Sequence, residues 1–348
     1  MKFCSIVGAR PNFVKLAPIS KEIRKKYKEI IIHTGQHYDE NLSDNLFKDM
    51  NIPKPDYTLN RKESRPGNQI GYMIADMEQI LITEQPDVVV VFGDTNSTLA
   101  GSIIASKMGI PIAHIEAGCR SYDMTMHEEQ NRIMVDHISK FLFAPTSSAA
   151  KILESENVYG DIYDYGDVIV DILHSMKIQP LPSDYILTTI HRPVNADSYH
   201  SMDKILLALN NLGEKIIFPV HPRTNKTIEK YNLKDKYQNI TYIDPVDYST
   251  MISYLKSAKM IVTDSGGIQK EAFVLRTPCI TLRDTTEWIE TTEHGWNVLV
   301  PNLTQKNITD AILNYRKPSV YIECFGSVGV SKRIIKCIGS HLNEGTTN

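Results

Sequence analysis

The sequence predicts an α/β protein with two doubly wound parallel sheets. Short apolar runs alternate with longer amphipathic stretches, which is typical of parallel strands joined by helices. This alternation occurs twice, once in each half of the chain. The length of 348 residues is enough for about two domains with separate cores.

The first series of predicted strands lies in the N-terminal half. Each is a β-rich apolar run followed by helix-like sequence, at residues 3–7, 30–33, 88–92, 112–115 and 141–144. The second series lies at residues 185–190, 215–220, 240–243, 260–263, 279–282 and 298–300. Residues 179–183 form the most linker-like stretch between the two series.

From this pattern we expect an N-terminal Rossmann-like domain at residues 1–165 and a C-terminal one at 166–325. The helix predicted at residues 168–176 is thereby placed in the C-terminal domain. Residues 326–348 contain a final helix-like stretch, at 330–342, which we expect to return to the N-terminal domain.

Composition excludes several classes of function. Lys and Arg total 38 against 41 Asp and Glu, and this net charge of −3 favours neither nucleic acid nor an anionic membrane as partner. The five cysteines are scattered and form no CxxC pair, which argues against a disulfide framework and a zinc cluster. No stretch approaches the roughly 20 apolar residues of a membrane span. We therefore expect a cytoplasmic protein.

Ligands of doubly wound sheets bind beyond the carboxyl ends of the strands, so we expect a site in a cleft between the two domains. The first predicted strand ends at Gly8 and is followed by Arg10 and Lys15 near a helix N-terminus. This arrangement could bind an anion. A structural turn with solvent-facing cations is the alternative, and the segment alone does not separate the two.

Three carboxylates follow predicted strands or begin a helix in the first half: Asp94, Glu116 and Glu129. Asp94 alone could be a helix cap, and Glu129 alone could complement a helix dipole. Together they suit proton abstraction and return, because repulsion and burial can separate the pKa values of neighbouring carboxyl groups.

The second half carries features suited to an anionic ligand. His191 and His221 each end a strand with an arginine close by, Arg192 and Arg223. The strongest element is the turn Ser265, Gly266 and Gly267 at the start of a helix, where bare backbone N–H groups can contact a phosphate. Glu271 lies one helical turn further and could accept hydrogen bonds from a ribose.

Taken in order, these segments resemble the non-hydrolysing UDP-N-acetylglucosamine 2-epimerase family. The match covers nearly the whole chain, and although each motif is weak, the ordered set is highly specific. The matching segments are residues 8–11 (Gly-Ala-Arg-Pro), 33–37 (His-Thr-Gly-Gln-His), 93–96 (Gly-Asp-Thr-Asn), 114–118 (His-Ile-Glu-Ala-Gly), 128–132 (Glu-Glu-Gln-Asn-Arg), 189–192 (Thr-Ile-His-Arg), 221–223 (His-Pro-Arg) and 264–267 (Asp-Ser-Gly-Gly).

The resemblance implies a GT-B type fold, a homodimer and a UDP-sugar substrate, with no cofactor or metal. It implies that a base removes the C2 proton, that UDP leaves C1 to give a glycal, and that UDP re-adds as a proton returns to the opposite face. The acid/base residues implied are Asp94, Glu116 and Glu129, with His191 also in the catalytic set. The UDP-binding residues expected are Arg10, Lys15, His221, Arg223, Ser265, Gly266, Gly267 and Glu271.

The chain also departs from the family pattern. Residues 287–290 read Glu-Trp-Ile-Glu where many bacterial members have Arg-Pro-Glu, and residues 126–129 read Met-His-Glu-Glu in place of Met-Pro-Glu-Glu. Residues 36–39 and 191–195 lack the partners of members with a second, activating UDP-N-acetylglucosamine site. Glu-Trp-x-Glu also resembles members that epimerise UDP-2,3-diacetamido-2,3-dideoxyglucuronate, which is the alternative substrate. A hydrolysing epimerase and a GT-B glycosyltransferase are more distant alternatives.

Overall fold

The computed structural model describes residues 1–36, 47, 49–59, 63 and 65–344. Contacts divide the chain into two compact units. Unit 1 comprises Met1–Ser175 and Cys324–Asn348, and unit 2 comprises Met176–Glu323. The first crossing between units thus follows Ser175 rather than residue 165, and the helix at Ile169–Ser175, expected in the C-terminal domain, groups with unit 1.

The described part of unit 1 contains one parallel sheet in the order β3-β2-β1-β4-β5-β6-β7. Its strands are β1 (Lys2–Val7), β2 (Lys28–His33), β3 (Tyr57–Thr58), β4 (Val88–Phe92), β5 (Ile112–Ile115), β6 (Phe141–Ala144) and β7 (Asp161–Asp164). Its helices are α1 (Arg10–Ile23), α2 (Pro66–Glu84), α3 (Asn96–Lys107), α4 (His127–Ile138), α5 (Ser147–Ser155), α6 (Ile169–Ser175) and α15 (Val330–Glu344).

Unit 2 repeats this plan with a parallel sheet in the order β10-β9-β8-β11-β12-β13. Its strands are β8 (Tyr185–Thr189), β9 (Lys215–Pro219), β10 (Ile240–Ile243), β11 (Met260–Thr263), β12 (Cys279–Thr281) and β13 (Asn297–Leu299). Its helices are α7 (Pro193–Ala196), α8 (Tyr199–Asn210), α9 (Pro222–Lys230), α10 (Leu233–Lys236), α11 (Tyr248–Ser257), α12 (Gly266–Val274), α13 (Ile289–Glu293) and α14 (Gln305–Leu313). The predicted class of two doubly wound sheets is confirmed.

Central strands of both sheets are mainly apolar because helices cover both of their faces. All five residues of β4 are fully buried, and the strands of unit 2 pack into one core with α8, α9 and α14. In each sheet the strand order reverses once, between β1 and β4 in unit 1 and between β8 and β11 in unit 2. Ligands of such sheets bind at the carboxyl ends of the strands beside this reversal.

Helix α15 completes unit 1 by packing against α1 and α6. Asp171 on α6 accepts hydrogen bonds from the backbone N–H groups of Gly329 and Ser331 at the start of α15, at 2.5 and 2.7 Å. A Cβ at Gly339 would overlap the hydroxyl of Tyr27, so the helix sits tightly against the segment between α1 and β2. Among the described helices, none is long and apolar enough to cross a membrane.

Candidate functional site

Two predicted carboxylates lie at the carboxyl edge of the sheet in unit 1. Asp94 follows β4 and Glu116 follows β5; these two strands are neighbours, and β4 is also next to β1. The helix after β4 is capped by Thr95, whose hydroxyl accepts from the N–H of Thr98 at 3.3 Å. The side chain of Asp94 is therefore not the cap of this helix.

Glu116 is ion-paired with Lys15. Lys15 Nζ lies 2.5 Å from Glu116 Oε1, and the two side chains are only 12% and 10% exposed. Glu116 has a φ of 72°, in the left-handed region that disfavours side chains with a Cβ. Gly93 makes room for the pair, because a Cβ there would lie 2.8 Å from Lys15 Nζ. The sequence predicted Lys15 as an anion-binding cation, and the structure gives it a carboxylate partner within unit 1.

The turn after β1 is held by its own side chains. A Cβ at Gly8 would overlap the hydroxyls of Ser97 and Thr34, so only glycine fits there. Asn12 Oδ1 accepts from the N–H groups of Gly8 and Ala9, both at 3.2 Å. These two N–H groups already have a partner and are not available to an anion. Arg10, exposed at the start of α1, is the residue of this turn that could contact one.

Arg132 on α4 joins the other two predicted carboxylates. Its Nη2 lies 2.5 Å from Asp94 Oδ2, and its Nη1 lies 2.8 Å from Glu129 Oε2. Glu129 is fully buried and also accepts from the backbone N–H groups of Ser121 and Tyr122. Burial alone would raise the pKa of Glu129, but these N–H donors and Arg132 hold it below the ordinary value. Glu129 is thus a carboxylate whose oxygens are engaged by the protein.

The sequence analysis did not identify a buried network of polar side chains behind the carboxyl edge of this sheet. His114 contacts the carbonyl of Gly93 through Nε2 at 2.8 Å and Asp136 through Nδ1 at 2.7 Å. Arg120 Nη1 lies 2.7 Å from the other oxygen of Asp136. Burial raises the pKa of Asp136, and the His114 and Arg120 contacts outweigh it and keep the pKa lowered. These contacts hold in place the carbonyl of Gly93, the residue before Asp94.

The spacing along α4 is a signal that could have revealed part of this network. Glu129, Arg132 and Asp136 recur at intervals of three and four residues, so they share one helical face. All three are buried. A buried face of charged residues requires partners from neighbouring elements, which here are Asp94 and His114.

In unit 2, Asp264 organises the turn that carries His191. Asp264 follows β11, is fully buried, and accepts from the backbone N–H groups of His191 and Arg192, each at 3.0 Å, and from Asn195 Nδ2 at 3.0 Å. The partly exposed His191 ring lies 5.7 Å from the ring of His221, centroid to centroid. The two predicted histidines are therefore neighbours at one strand edge.

The arginine predicted beside His221 has a partner at the surface. Arg223 contacts Asp197 through Nε and Nη2, both at 2.7 Å, and both residues are exposed. Hydrogen bonding to Arg223 lowers the pKa of Asp197. His221 itself caps α9, since its Nδ1 accepts from the N–H of Arg223 at 3.1 Å.

The glycine turn at the start of α12 has the geometry expected of an anion site. Ser265 is the N-cap residue, and its hydroxyl accepts from the N–H of Ile268 at 3.4 Å. Gly267 is exposed, and no described atom lies within 4 Å of the position its Cβ would take. Glu271, one turn along, accepts from the hydroxyl of Tyr248 at 2.8 Å. An anion can therefore approach the positive end of the helix at Gly267.

Not every predicted feature can be placed. Residues 37–39, part of the segment that bears on a second activating site, lie outside the described residues. Gln36 is described, and its Oε1 accepts from both the backbone N–H and the hydroxyl of Ser97. Within the described ranges, no three His, Cys, Asp or Glu side chains are grouped as metal ligands would be.

Comparisons with known proteins match almost the full chain. A family model described as UDP-N-acetylglucosamine 2-epimerase matches residues 21–339. A UDP-N-acetylglucosamine 2-epimerase homolog of Methanococcus maripaludis is 46% identical, over 97% of this chain and 99% of the relative. The UDP-2,3-diacetamido-2,3-dideoxy-D-glucuronate 2-epimerase of Pseudomonas aeruginosa is 43% identical, over 86% and 88%. The crystal structure of Methanocaldococcus jannaschii UDP-GlcNAc 2-epimerase in complex with UDP-GlcNAc and UDP is 39% identical, with a TM-score of 0.89 over 98% of this chain and 100% of that one.

Proposed function

Because the chain belongs to the UDP-N-acetylglucosamine 2-epimerase family, we propose that it interconverts UDP-N-acetylglucosamine and UDP-N-acetylmannosamine without hydrolysis. The protein is an isomerase of the UDP-sugar 2-epimerase type. The observation that carries the proposed chemistry is the placement of Asp94 and Glu116 at the ends of neighbouring strands, each paired with one cation.

The reaction runs by elimination and re-addition. A carboxylate takes the C2 proton, the C2–H electrons form the C1–C2 double bond, and the C1–O bond breaks with its electron pair leaving on UDP. UDP then adds back to C1 of the glycal, and a proton returns to the opposite face of C2. Asp94 and Glu116 are the groups we assign to these proton transfers, because carboxylates are common general acids and bases and these two lie at the ends of neighbouring strands.

Elimination requires stabilisation of the departing diphosphate, since the C2 proton is only weakly acidic. We assign UDP to unit 2, where the N-terminus of α12 and the Ser265 hydroxyl supply donors to phosphate. Glu271 is proposed as the ribose ligand, with Tyr248 orienting its carboxylate. His191, oriented through the backbone contacts of Asp264, is proposed to act on the leaving group.

The remaining predicted residues have less direct support. Arg10 is proposed as a substrate-binding cation because it is exposed at the start of α1. His221 and Arg223 stay predicted UDP ligands, although Arg223 pairs with Asp197 in the structure. Glu129 stays a predicted acid/base residue, and its engaged oxygens also support a positioning role through Arg132. A homodimer is likewise carried from the family resemblance as a proposal, and a cytoplasmic location is proposed from the scattered cysteines.

The epimerase proposal is tested by incubating the protein with UDP-N-acetylglucosamine in D₂O and following the sugar by NMR. We expect deuterium at C2 and a mixture of the two UDP-sugars. Asp94→Asn and Glu116→Gln should abolish both signals while UDP still binds. Free N-acetylmannosamine as the stable product would instead favour a hydrolysing epimerase, and transfer of the sugar to an acceptor would favour a glycosyltransferase.

The second candidate substrate is UDP-2,3-diacetamido-2,3-dideoxyglucuronate. It is supported by the 43% identical Pseudomonas aeruginosa relative and by Glu-Trp-x-Glu at residues 287–290. The buried Trp288 stands where many bacterial members have arginine, and Lys270 Nζ lies 4.1 Å from its ring centroid. No exchange with UDP-N-acetylglucosamine but C2 exchange with the diacetamido-uronate would establish this alternative.

A further inference from the structure

The first residue of α12 lies against a carboxylate from another segment. A Cβ at Gly266 would overlap Oε1 of Glu287, so glycine is required for Glu287 to occupy this place. The Glu287 side chain is 7% exposed. A helix N-terminus attracts anions because its backbone N–H groups and dipole are positive. In this structure the protein's own carboxylate lies beside the first residue of that helix.

The same place holds a buried arginine that the sequence analysis did not identify. Arg283 follows β12, its side chain is 6% exposed, and its Nη2 lies 2.9 Å from Oε2 of Glu287. Its Nη1 is buried and has no hydrogen-bond partner among the described residues. That nitrogen lies 3.7 Å from the position of a Cβ at Gly266. Arg283 therefore presents an unused donor at the start of α12.

A buried guanidinium donor without a partner is unfavourable unless a ligand uses it. Phosphate oxygens match the planar fork of arginine better than one carboxylate oxygen does, and a diphosphate carries more negative charge. The helix N-terminus and Arg283 together form an anion site with more donor capacity than Glu287 uses.

We propose that Arg283 binds the diphosphate of the substrate, and that Glu287 is a resident anion which the diphosphate displaces. This inference rests on the proposed function, since it takes UDP as the ligand of unit 2. Without ligand, Glu287 keeps the buried Arg283 charge paired. When UDP binds, Arg283 exchanges the carboxylate for phosphate, so Glu287 competes with the ligand for the same site.

Calorimetric titration with UDP, UMP and uridine tests this exchange. Arg283→Met should weaken UDP binding by about tenfold or more, the size expected for a lost charge-assisted hydrogen bond, and leave uridine binding unchanged. Glu287→Gln should tighten UDP binding, because the competing charge is gone. A purely structural ion pair predicts the reverse for Glu287→Gln.

The matched controls are Arg276→Met and Glu323→Gln, which alter an exposed Arg–Glu pair of the same unit. Both should leave all three affinities unchanged. If Arg283→Met folds poorly because it strands Glu287, the double variant Arg283→Met/Glu287→Gln removes both charges and should bind UDP as weakly as expected for loss of Arg283. Wild-type affinity in the double variant, or weaker UDP binding by Glu287→Gln, overturns the inference.

The binding data and the deuterium exchange assay separate this inference from the epimerase proposal. UDP binding that follows the predicted pattern, without C2 exchange on either UDP-sugar, overturns the epimerase proposal alone. C2 exchange with normal UDP binding by the double variant overturns the Arg283 inference alone. A wild-type protein that does not bind UDP overturns both.

Discussion

The ammonium group of Lys15 lies 2.5 Å from Oε1 of Glu116, and both side chains are almost entirely buried. The pair joins α1 to the end of β5 across the space left by Gly93. Lys15 is therefore paired with a candidate catalytic carboxylate. A substrate that approaches Lys15 would also meet the negative charge of Glu116.

Lys15→Met tests that contact. The variant leaves the nearly buried Glu116 carboxylate without its cation, so we expect kcat/KM to fall by about a hundredfold, the size expected when a catalytic group is misplaced. Lys21→Met, at an exposed position of the same helix, is the control and should leave kcat/KM unchanged. Wild-type kcat/KM in Lys15→Met would show that the contact does not serve the reaction.

Glu129→Gln should reduce stability by about 3 kcal/mol, because it leaves the buried Arg132 charge with one carboxylate fewer. Chemical denaturation measures this loss. Glu128→Gln changes an exposed neighbour and should have little effect.

The stability difference should also depend on pH. The pKa of Glu129 is lowered from 4.5 in the folded protein, so its contribution is complete above pH 4.5 and is lost as pH falls through the native value. The stability curves of wild type and Glu129→Gln should converge in acid. A constant difference from pH 7 to pH 3 would contradict this account.

Gly267→Ala should preserve stability but weaken UDP binding. The Cβ would meet no described atom, yet it would extend into the space where an anion approaches α12. Gly67→Ala is a matched control, since Gly67 is also the second residue of a helix with nothing near its Cβ position. Thermal melts and UDP titration distinguish the outcomes, and unchanged UDP affinity in Gly267→Ala would remove Gly267 from the proposed site.

Asp264→Ala should destabilise unit 2 by about 1–3 kcal/mol, because the N–H groups of His191 and Arg192 lose a buried acceptor. Activity should fall by more than the loss of folded protein explains, because the turn that carries His191 is no longer held in place. Asp197→Ala, which removes the exposed partner of Arg223, should leave stability unchanged. Full activity in Asp264→Ala would contradict the positioning of His191.

The sequence predicted the central strands well because burial on both faces makes them continuous apolar runs. Residues 88–92, 112–115 and 141–144 were predicted with the bounds that β4, β5 and β6 have. The two edge strands of unit 1 were missed. Strand β3 has only two residues, and β7 reads Asp-Ile-Tyr-Asp and is partly exposed, so neither presents an apolar run.

Site residues at strand ends were predictable because the topology brings successive βα turns to one edge. The ion pairs among them were not, since they depend on side chains distant in sequence. Lys15 and Glu116 are 101 residues apart, and nothing in the local pattern of either indicates the other. Arg283 was missed for the same reason, because only the fold places it beside Gly266.

The position of α15 has a consequence for how the chain is made. Unit 1 needs residues from both ends of the chain, with all of unit 2 synthesised between them. During translation, α1 and α6 lack the helix that packs against them until residues 330–344 emerge, whereas unit 2 is contiguous. The unit that holds Asp94 and Glu116 is therefore completed only after unit 2 has been synthesised.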